Sequence, residues 1–190
     1  MHYTNNDIYL GMISGTSRDG VDTVLVSFEG NLPRLHETQC LPYPPGLADA
    51  LKNMVEARQK PAAHELEKLD VRLGDFFSQA ALALLEKAGL GSADITAIGS
   101  HGQTVWHEPV GANPVSIQLG SPQRIANKTG IVTIGDFRCA DIEAGGQGAP
   151  LAPLLHRALF QPENGTRAVL NLGGIANVSI LKGNFIQSGI

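Results

Sequence analysis

The sequence predicts an α/β domain with a mixed sheet flanked by helices, followed by the first hairpin of a second, similar domain. Three observations lead to this prediction. Short apolar runs rich in β-branched residues alternate with segments of helical periodicity. The first three runs are joined by short turns, which favours antiparallel neighbours. The later runs are joined through helices, which favours parallel pairing.

The first part of the chain contains three predicted strands. Each is a short apolar run bounded by glycine or polar turn residues. Pro42, Pro44 and Pro45 then end the sheet, because proline cannot donate a hydrogen bond to a neighbouring strand. The predicted strands are 8–13, 21–28 and 35–43.

Two helices are predicted next. The first covers 45–58 and is broken by Pro61, and the second begins at Ala62 and is closed by Gly89 and Gly91. The apolar residues of the second helix recur every three or four positions, which predicts one buried stripe. They are Leu66, Leu69, Leu73, Phe76, Phe77, Ala80 and Leu84.

Strands and helices alternate in the second half of the chain. Ser121 as N-cap and Pro122 at the first turn predict a helix over 121–128. Predicted strands cover 95–100, 115–119 and 131–134, and a further helix covers 151–160. After a polar linker, strands 168–172 and 177–181 repeat the strand–turn–strand pattern of the N-terminus. We therefore expect one domain over 1–166 and the start of an incomplete second domain over 167–190.

Composition and charge exclude several classes of protein. Eighteen acidic against 14 basic residues give a net charge of −4, which argues against nucleic acid or an anionic membrane as the main partner. No apolar run approaches the roughly 20 residues that cross a bilayer. The N-terminus also lacks the order of a signal peptide. Two cysteines, Cys40 and Cys139, are too few for a disulfide framework. A soluble cytoplasmic protein is expected.

The glycine turn between the first two strands is a candidate anion site. Its small residues let backbone N–H groups converge on a phosphate, and Thr16 and Ser17 add hydroxyl donors. Asp19 or Asp22 could hold Mg²⁺ directly or through water. On this turn alone an ordinary polar hairpin is the commoner explanation. A second such turn lies at 172–177, which favours an arrangement in which the two turns hold a polyphosphate between them.

Polar residues at the ends of later strands are candidates for substrate binding. His101 and Gln103 could hydrogen-bond a sugar, although a lone loop histidine is more often satisfied by backbone groups. Arg138 could pair with a substrate carboxylate, and a structural pair with Asp136 or Asp141 is equally compatible with the residues. The glycine-rich segment 145–148 allows a substrate to approach the backbone, or forms a flexible loop.

Four motifs, in this order and spacing, carry a specific resemblance. They are GMISGTSRDGVD, GSHGQTVWHEP, GDFRCADIEAGGQGAPL and VLNLGGIANVS. Together they resemble the anhydro-N-acetylmuramic acid kinases, which belong to the actin-like ATPase and sugar-kinase superfamily with ribonuclease H-like domains. The resemblance covers nearly the whole chain from Ile8 onward.

The resemblance implies a cytoplasmic enzyme of peptidoglycan recycling, in a family whose members are often homodimers. Such an enzyme uses ATP and Mg²⁺ to phosphorylate 1,6-anhydro-N-acetylmuramic acid at O6, while water opens the anhydro bridge at C1. Two lobes close around the ligands. The product is N-acetylmuramic acid 6-phosphate. Neither nucleic acid nor a membrane is implied as a partner.

The site residues implied by the resemblance fall into two groups. The sugar side comprises Ser100, His101, Gln103 and Arg138. Asp19 would hold Mg²⁺ through water. The ATP-binding residues would be Gly15, Thr16, Ser17, Arg18, Asp19, Gly20, Val21 and Asp22 of the first loop, and Gly173 and Gly174 of the second.

The chain departs from the family pattern at three places. Arg18 stands where an apolar residue is usual, and Cys139 stands where a second basic residue is common. In the family, an Asp-x-Gly-Pro-Gly-Asn motif follows the second hairpin, and its Asp activates the attacking water as general base. Here that Asp is expected just after Ile190, so no catalytic residue of this kind is predicted within the chain. We therefore expect a truncated, inactive chain.

Three other functions are compatible with the residues. One is a module that binds a sugar or a nucleotide without catalysis. Another is a different sugar or acyl kinase of the same superfamily. The third is a metal-dependent hydrolase that uses His101, His107 and Glu108, although their spacing fits no standard helical zinc motif.

Overall fold

The computed structural model describes residues 7–30, 32–57, 59–172, 176–183 and 185–189, and these form two sheets and five α-helices. The strands are β1 Ile8–Ser14, β2 Gly20–Glu29, β3 Leu32–Pro42, β4 Ile95–Glu108, β5 Val115–Leu119, β6 Thr133–Ile134, β7 Arg167–Asn171, β8 Asn177–Lys182 and β9 Phe185–Gly189. The helices are α1 Pro45–Glu56, α2 Ala63–Ala88, α3 Pro122–Thr129, α4 Cys139–Glu143 and α5 Ala152–Phe160. None of the helices in these ranges is long and apolar enough to span a membrane.

The larger sheet has the strand order β3-β2-β1-β4-β5, and β6 also pairs with β4. The pairs β1–β2 and β2–β3 are antiparallel, whereas β1–β4 and β4–β6 are parallel. The predicted α/β fold with a mixed sheet is therefore confirmed, and it is consistent with a ribonuclease H-like domain. This topology brings the end of β1 next to the middle of β4.

The core lies between one face of this sheet and the long helix α2. Alternate residues of β1 and β2 are buried, so that Leu10 pairs with Leu25 beneath the helix. The predicted apolar stripe of α2 is confirmed, with Leu73 and Phe77 fully shielded from solvent. Each such side chain contributes about 1.5–3 kcal/mol when it is removed from water. The core thus fixes the sheet that carries the site.

Capping residues set the ends of the two helices that border the site. Gly89 adopts φ 69° and closes α2, as its sequence position predicts. Ser121 accepts a hydrogen bond from the Arg124 amide at 3.3 Å and begins α3, with Pro122 in the first turn. The predicted start of α3 is confirmed. The short helix α4 was not predicted, since five residues carry no readable periodicity.

The prediction that β4 ends at Ser100 is wrong. Met12 of β1 pairs with Ser100, whereas Ser14 pairs with Gln103, so β4 carries one extra residue there and continues to Glu108. The extra residue is accommodated at Gly102, which has φ 70°. A Cβ atom at Gly102 would lie 2.5 Å from the Leu119 carbonyl oxygen. The bulge therefore requires glycine.

The second sheet has the order β7-β8-β9, and both of its strand pairs are antiparallel. The expected hairpin is thus extended by a third strand, β9. Helix α5 contacts this sheet, and the His156 Nδ1 atom lies 2.9 Å from the buried Ser179 hydroxyl. The domain boundary at 166/167 remains a prediction.

Candidate functional site

The turn that joins β1 to β2 presents its polar groups to solvent. Thr16, Ser17 and Asp19 are exposed. The Ser17 hydroxyl donates to the Asp19 carboxylate at 2.8 Å, and the Arg18 amide donates to the Gly15 carbonyl at 3.2 Å. Arg18 adopts φ 56°, a left-handed backbone conformation that residues other than glycine rarely adopt. This turn therefore has hydroxyl groups and a carboxylate available to a ligand.

The end of the turn is anchored to the main sheet. The Tyr43 amide donates to the Asp19 carbonyl at 2.9 Å, and burial raises the pKa of Tyr43 to about 12. Val21 is fully buried, so its side chain belongs to the core and only its backbone could serve a ligand. Asp22 is exposed on β2. The residues predicted for the first ATP loop therefore differ in exposure: Asp22 presents its side chain to solvent, whereas Val21 could offer a ligand only its backbone.

Gly173 and Gly174, predicted for the second ATP loop, lie outside the described residues. The residue before them, Leu172, has 77% of its surface exposed. The assignment of both glycines stays a prediction.

His101 and Arg138, both predicted for the sugar side, form a half-buried pair. The Arg138 Nε and Nη2 atoms lie 3.0 and 2.7 Å from the His101 Nε2 atom, and Arg138 Nη1 donates to the Gly148 carbonyl at 2.5 Å. Because His101 Nε2 accepts these bonds, the ring proton belongs on Nδ1, which lies 3.0 Å from the Gly102 carbonyl. The pair joins β4 to the glycine-rich segment.

The electrostatics of this pair match its geometry. Burial lowers the pKa of His101, and the positive charge of Arg138 lowers it further, against the opposing effect of the Gly102 carbonyl. His101 is therefore neutral and able to accept from Arg138. Among the described residues Arg138 makes no ion pair, so the alternative of a structural pair with Asp136 or Asp141 is wrong.

Ser100 points to a ligand site beside His101. Its side chain is 3% exposed, and its hydroxyl has no hydrogen-bond partner in the part of the chain that the structure describes. Unpaired buried hydroxyl groups are costly and are usually satisfied by something. Ser100 and His101 line a cavity of about 340 Å³, together with Asp70, Gln118 and Asp136.

The glycine-rich segment after α4 is tied down by Asp141. The Asp141 carboxylate accepts from the Gly148 amide at 2.7 Å, and its carbonyl accepts from the Gly146 amide at 2.8 Å. The same segment lines a larger cavity of about 800 Å³, which reaches Ile186 of the second sheet. Arg138 lies between the two cavities, since it contacts His101 of one and Gly148 of the other.

Gln103 differs from the other predicted sugar-binding residues. It is 2% exposed, its Oε1 atom accepts from the Ser14 hydroxyl at 2.6 Å, and its Nε2 atom donates to the Thr104 carbonyl at 3.0 Å. The sequence did not indicate Ser14, because its partner lies 89 positions further along the chain. The β1–β4 pairing alone brings them together.

The described residues give no support to a metal-dependent hydrolase. They contain no group of three or more His, Cys, Asp or Glu side chains that could hold a metal ion. His107 lies 2.9 Å from the Ser116 hydroxyl rather than beside His101. Hydrogen bonding to Asp136 raises the pKa of the Cys139 thiol to about 11, which agrees with a structural role for this cysteine.

Comparison with known proteins identifies the family. The family model for anhydro-N-acetylmuramic acid kinase matches residues 7–189. The chain belongs to the anhydro-N-acetylmuramic acid kinase family. An anhydro-N-acetylmuramic acid kinase from Vibrio cholerae is 46% identical over 178 residues, which covers 94% of this chain and 48% of the relative. The chain thus spans about half the length of this curated member of the family.

Two solved structures resemble the chain more distantly. A ROK family glucokinase from Streptomyces griseus, in complex with glucose and AMPPNP, is 18% identical with a TM-score of 0.46, over 96% of this chain and 47% of that one. An Aquifex aeolicus Ppx/GppA phosphatase is 11% identical with a TM-score of 0.43, over 96% and 51%. Neither likeness bears on the function.

Proposed function

We propose that this chain forms the N-terminal lobe and the start of the second lobe of an ATP-dependent kinase for 1,6-anhydro-N-acetylmuramic acid in cytoplasmic peptidoglycan recycling. The O6 atom of the sugar forms a bond to the γ-phosphorus of ATP as its bond to C1 breaks, and the bond from the γ-phosphorus to the bridging oxygen breaks so that ADP leaves. Water adds its oxygen to C1 and loses a proton, and the product is N-acetylmuramic acid 6-phosphate. Membership of the family supports this proposal.

The observation that carries the proposal is the guanidinium of Arg138, which makes hydrogen bonds to neutral groups but no ion pair with the described residues. It is half-buried beside neutral His101, and it has no carboxylate partner among the described residues. Muramic acid differs from other amino sugars by a lactyl carboxylate. A guanidinium held in place by His101 and the Gly148 carbonyl is well suited to bind such a group.

The turn after β1 would bind the phosphates of ATP. Gly15 leaves room for an anion, because the nearest atom to a Cβ there would be the Ser17 hydroxyl oxygen at 3.8 Å. Thr16 and Ser17 are exposed and can donate hydroxyl hydrogen bonds. Gly173 and Gly174 would complete the nucleotide site from the second lobe.

The residues of the turn also fit a magnesium ion. Mg²⁺ usually takes one or two carboxylates and fills its other positions with water and phosphate oxygens. The exposed carboxylate of Asp19 meets this requirement through water, and Asp22 is exposed on the strand that follows. When bound, the ion would neutralise charge on the transferred phosphoryl group.

The test compares two sugars that differ in the carboxylate. In the full-length protein that carries this chain, Arg138→Met should raise the KM for 1,6-anhydro-N-acetylmuramic acid by about 10- to 100-fold, since hydrogen bonds to charged groups contribute about 1.5–3 kcal/mol. The KM for 1,6-anhydro-N-acetylglucosamine, which lacks the lactyl group, should not change. Arg157→Met replaces an exposed arginine of α5 and serves as the control.

Two results would contradict the proposal. One is the absence of ATP-dependent phosphorylation of the sugar by the full-length protein, with binding alone, which would indicate a non-catalytic module. The other is an equal effect of Arg138→Met on both sugars. We also expect no turnover by the 190 residues alone, because proton removal from the attacking water contributes about 10²–10⁴-fold in rate and no general base for it is assigned within them.

A further inference from the structure

A buried hydrogen bond joins the predicted nucleotide loop to the predicted sugar strand. Ser14 is the last residue of β1, directly before the turn, and is 2% exposed. Its hydroxyl donates to the Gln103 Oε1 atom of β4 at 2.6 Å. Such a bond, closed off from water, is stronger electrostatically than one at the surface. It fixes the start of the turn relative to β4.

Further hydrogen bonds connect Gln103 to the cavity beside His101. Gln103 Nε2 donates to the Thr104 carbonyl at 3.0 Å, and the Thr104 hydroxyl accepts from Gln118 Nε2 at 3.2 Å. Gln118 lines the cavity of about 340 Å³ that also contains Ser100. Hydrogen bonds thus link the turn to the predicted sugar cavity, and Thr104 takes part through its main-chain carbonyl on one side and its hydroxyl on the other.

We propose that Ser14 and Gln103 are positioning residues that hold the nucleotide loop in register with the sugar site, and that Gln103 is not a sugar ligand. Both polar atoms of the Gln103 amide are occupied by protein partners, and its side chain is 2% exposed, so it has little to offer a sugar. This inference rests on the proposed function for the identity of the two ligands. The hydrogen-bond chain itself does not depend on that function.

The first test needs no substrate. Hydrogen exchange is measured on the chain with Ser14→Ala, Gln103→Met and both changes together. We expect the Arg18 and Tyr43 amides, which make the two backbone hydrogen bonds of the turn, to exchange about two- to tenfold faster in each single variant. The double variant should show no further increase, because the partners act as one unit.

A matched control removes a similar hydroxyl elsewhere. Ser78→Ala deletes a buried serine whose hydroxyl bonds the Gly74 carbonyl within α2 at 2.7 Å. It should leave the Arg18 and Tyr43 amides unchanged. Unaltered exchange at these amides in Ser14→Ala and Gln103→Met, or additive effects in the double variant, would overturn the inference.

The second test separates positioning from sugar binding in the full-length kinase. Positioning predicts that Ser14→Ala and Gln103→Met lower kcat to the same extent, within about threefold of each other, and leave the KM for the sugar near its original value. A sugar ligand predicts instead a raised KM for Gln103→Met alone. That second pattern would overturn the inference, whereas an inactive parent protein would contradict the proposed function and leave the exchange test decisive.

Discussion

At the scale of single residues, Gly15 and Gly20 flank the turn after β1, and the absence of a side chain serves a different purpose at each position. A Cβ atom at Gly20 would lie 2.4 Å from the Leu41 carbonyl oxygen, whereas one at Gly15 would meet nothing closer than the Ser17 hydroxyl oxygen at 3.8 Å. Gly20 therefore serves the close approach of β2 to β3. Gly15 leaves open the space in which a phosphate would lie.

This difference predicts that an alanine substitution affects stability at Gly20 and ATP binding at Gly15. Gly20→Ala should lower the free energy of unfolding by about 1–3 kcal/mol, because the backbone of β3 must move. Gly15→Ala should change it by less than about 0.5 kcal/mol and should raise the KM for ATP. Urea unfolding of the chain measures the first effect, and ATP titration of the activity of the full-length kinase measures the second. Equal loss of stability in both variants would contradict this division.

Residue-scale features were only partly predictable from the sequence. The types of residue at His101 and Arg138 indicated sugar and carboxylate chemistry, whereas Ser100 was implied only by the family resemblance. The structure brings His101 and Arg138 into contact. The burial of Gln103 against Ser14 was not predictable, because it depends on the register between β1 and β4 and on the bulge at Gly102. The sequence thus indicates the chemistry that a side chain offers, whereas its contacts depend on the register between strands.

At the scale of elements, α2 holds α3 and the turn before it through two carboxylates. The Asp70 carboxylate accepts from the Gly120 amide at 2.8 Å. The Asp75 carboxylate pairs with the Arg124 guanidinium, and it lies 2.9 Å from Lys128 Nζ. These contacts place α3, whose first residues border the cavity beside His101.

The Asp75 cluster should contribute a stability that depends on pH. The hydrogen bond from Arg124, followed by that from Lys128, lowers the pKa of Asp75 from 3.8 to about 2. A carboxylate with a depressed folded-state pKa stabilises the fold above its unfolded-state pKa and loses that effect as the pH falls through the folded-state value. Asp75→Asn should therefore lower the urea midpoint at pH 7, and this difference should shrink between about pH 4 and pH 2.

Glu86→Gln is the matched control for this experiment. Glu86 is an exposed carboxylate on the same helix, and it makes no ion pair with the described residues. It should leave the midpoint at pH 7 nearly unchanged. Because the Asp75 pairs are partly exposed, added salt should also reduce the effect of Asp75→Asn. If the decrease in the urea midpoint of Asp75→Asn stayed constant with both pH and salt, the change would act through packing instead.

Elements with a strong local signal were predicted well. The stripe of α2 and the Ser121 cap of α3 follow from periodicity and capping chemistry, which neighbours in sequence determine. The full length of β4 was missed, since only pairing with β5 reveals that the strand continues past a glycine bulge. α4 and β9 are too short to show a pattern of their own.

At the scale of the whole molecule, apolar side chains remain exposed around the second sheet. Leu154 and Leu155 of α5 are 67% and 50% exposed, and Leu170 of β7 is 62% exposed. Helix α5 contacts β7, so the two elements that carry these residues are neighbours. Monomeric proteins rarely leave large apolar patches uncovered. The family resemblance independently implies a homodimer as one expected assembly.

We therefore expect the 190-residue chain to self-associate through this region. Sedimentation velocity over a series of protein concentrations should show a weight-average mass that rises with concentration. Replacing Leu154 and Leu170 together with Gln should remove this rise without loss of stability, since neither side chain is part of the core. Val110→Gln changes an apolar residue that is 72% exposed on a loop after β4, and it should leave association intact. A monomer at every concentration, or equal effects of both changes, would show that the apolar surface of α5 and β7 does not drive assembly of this chain.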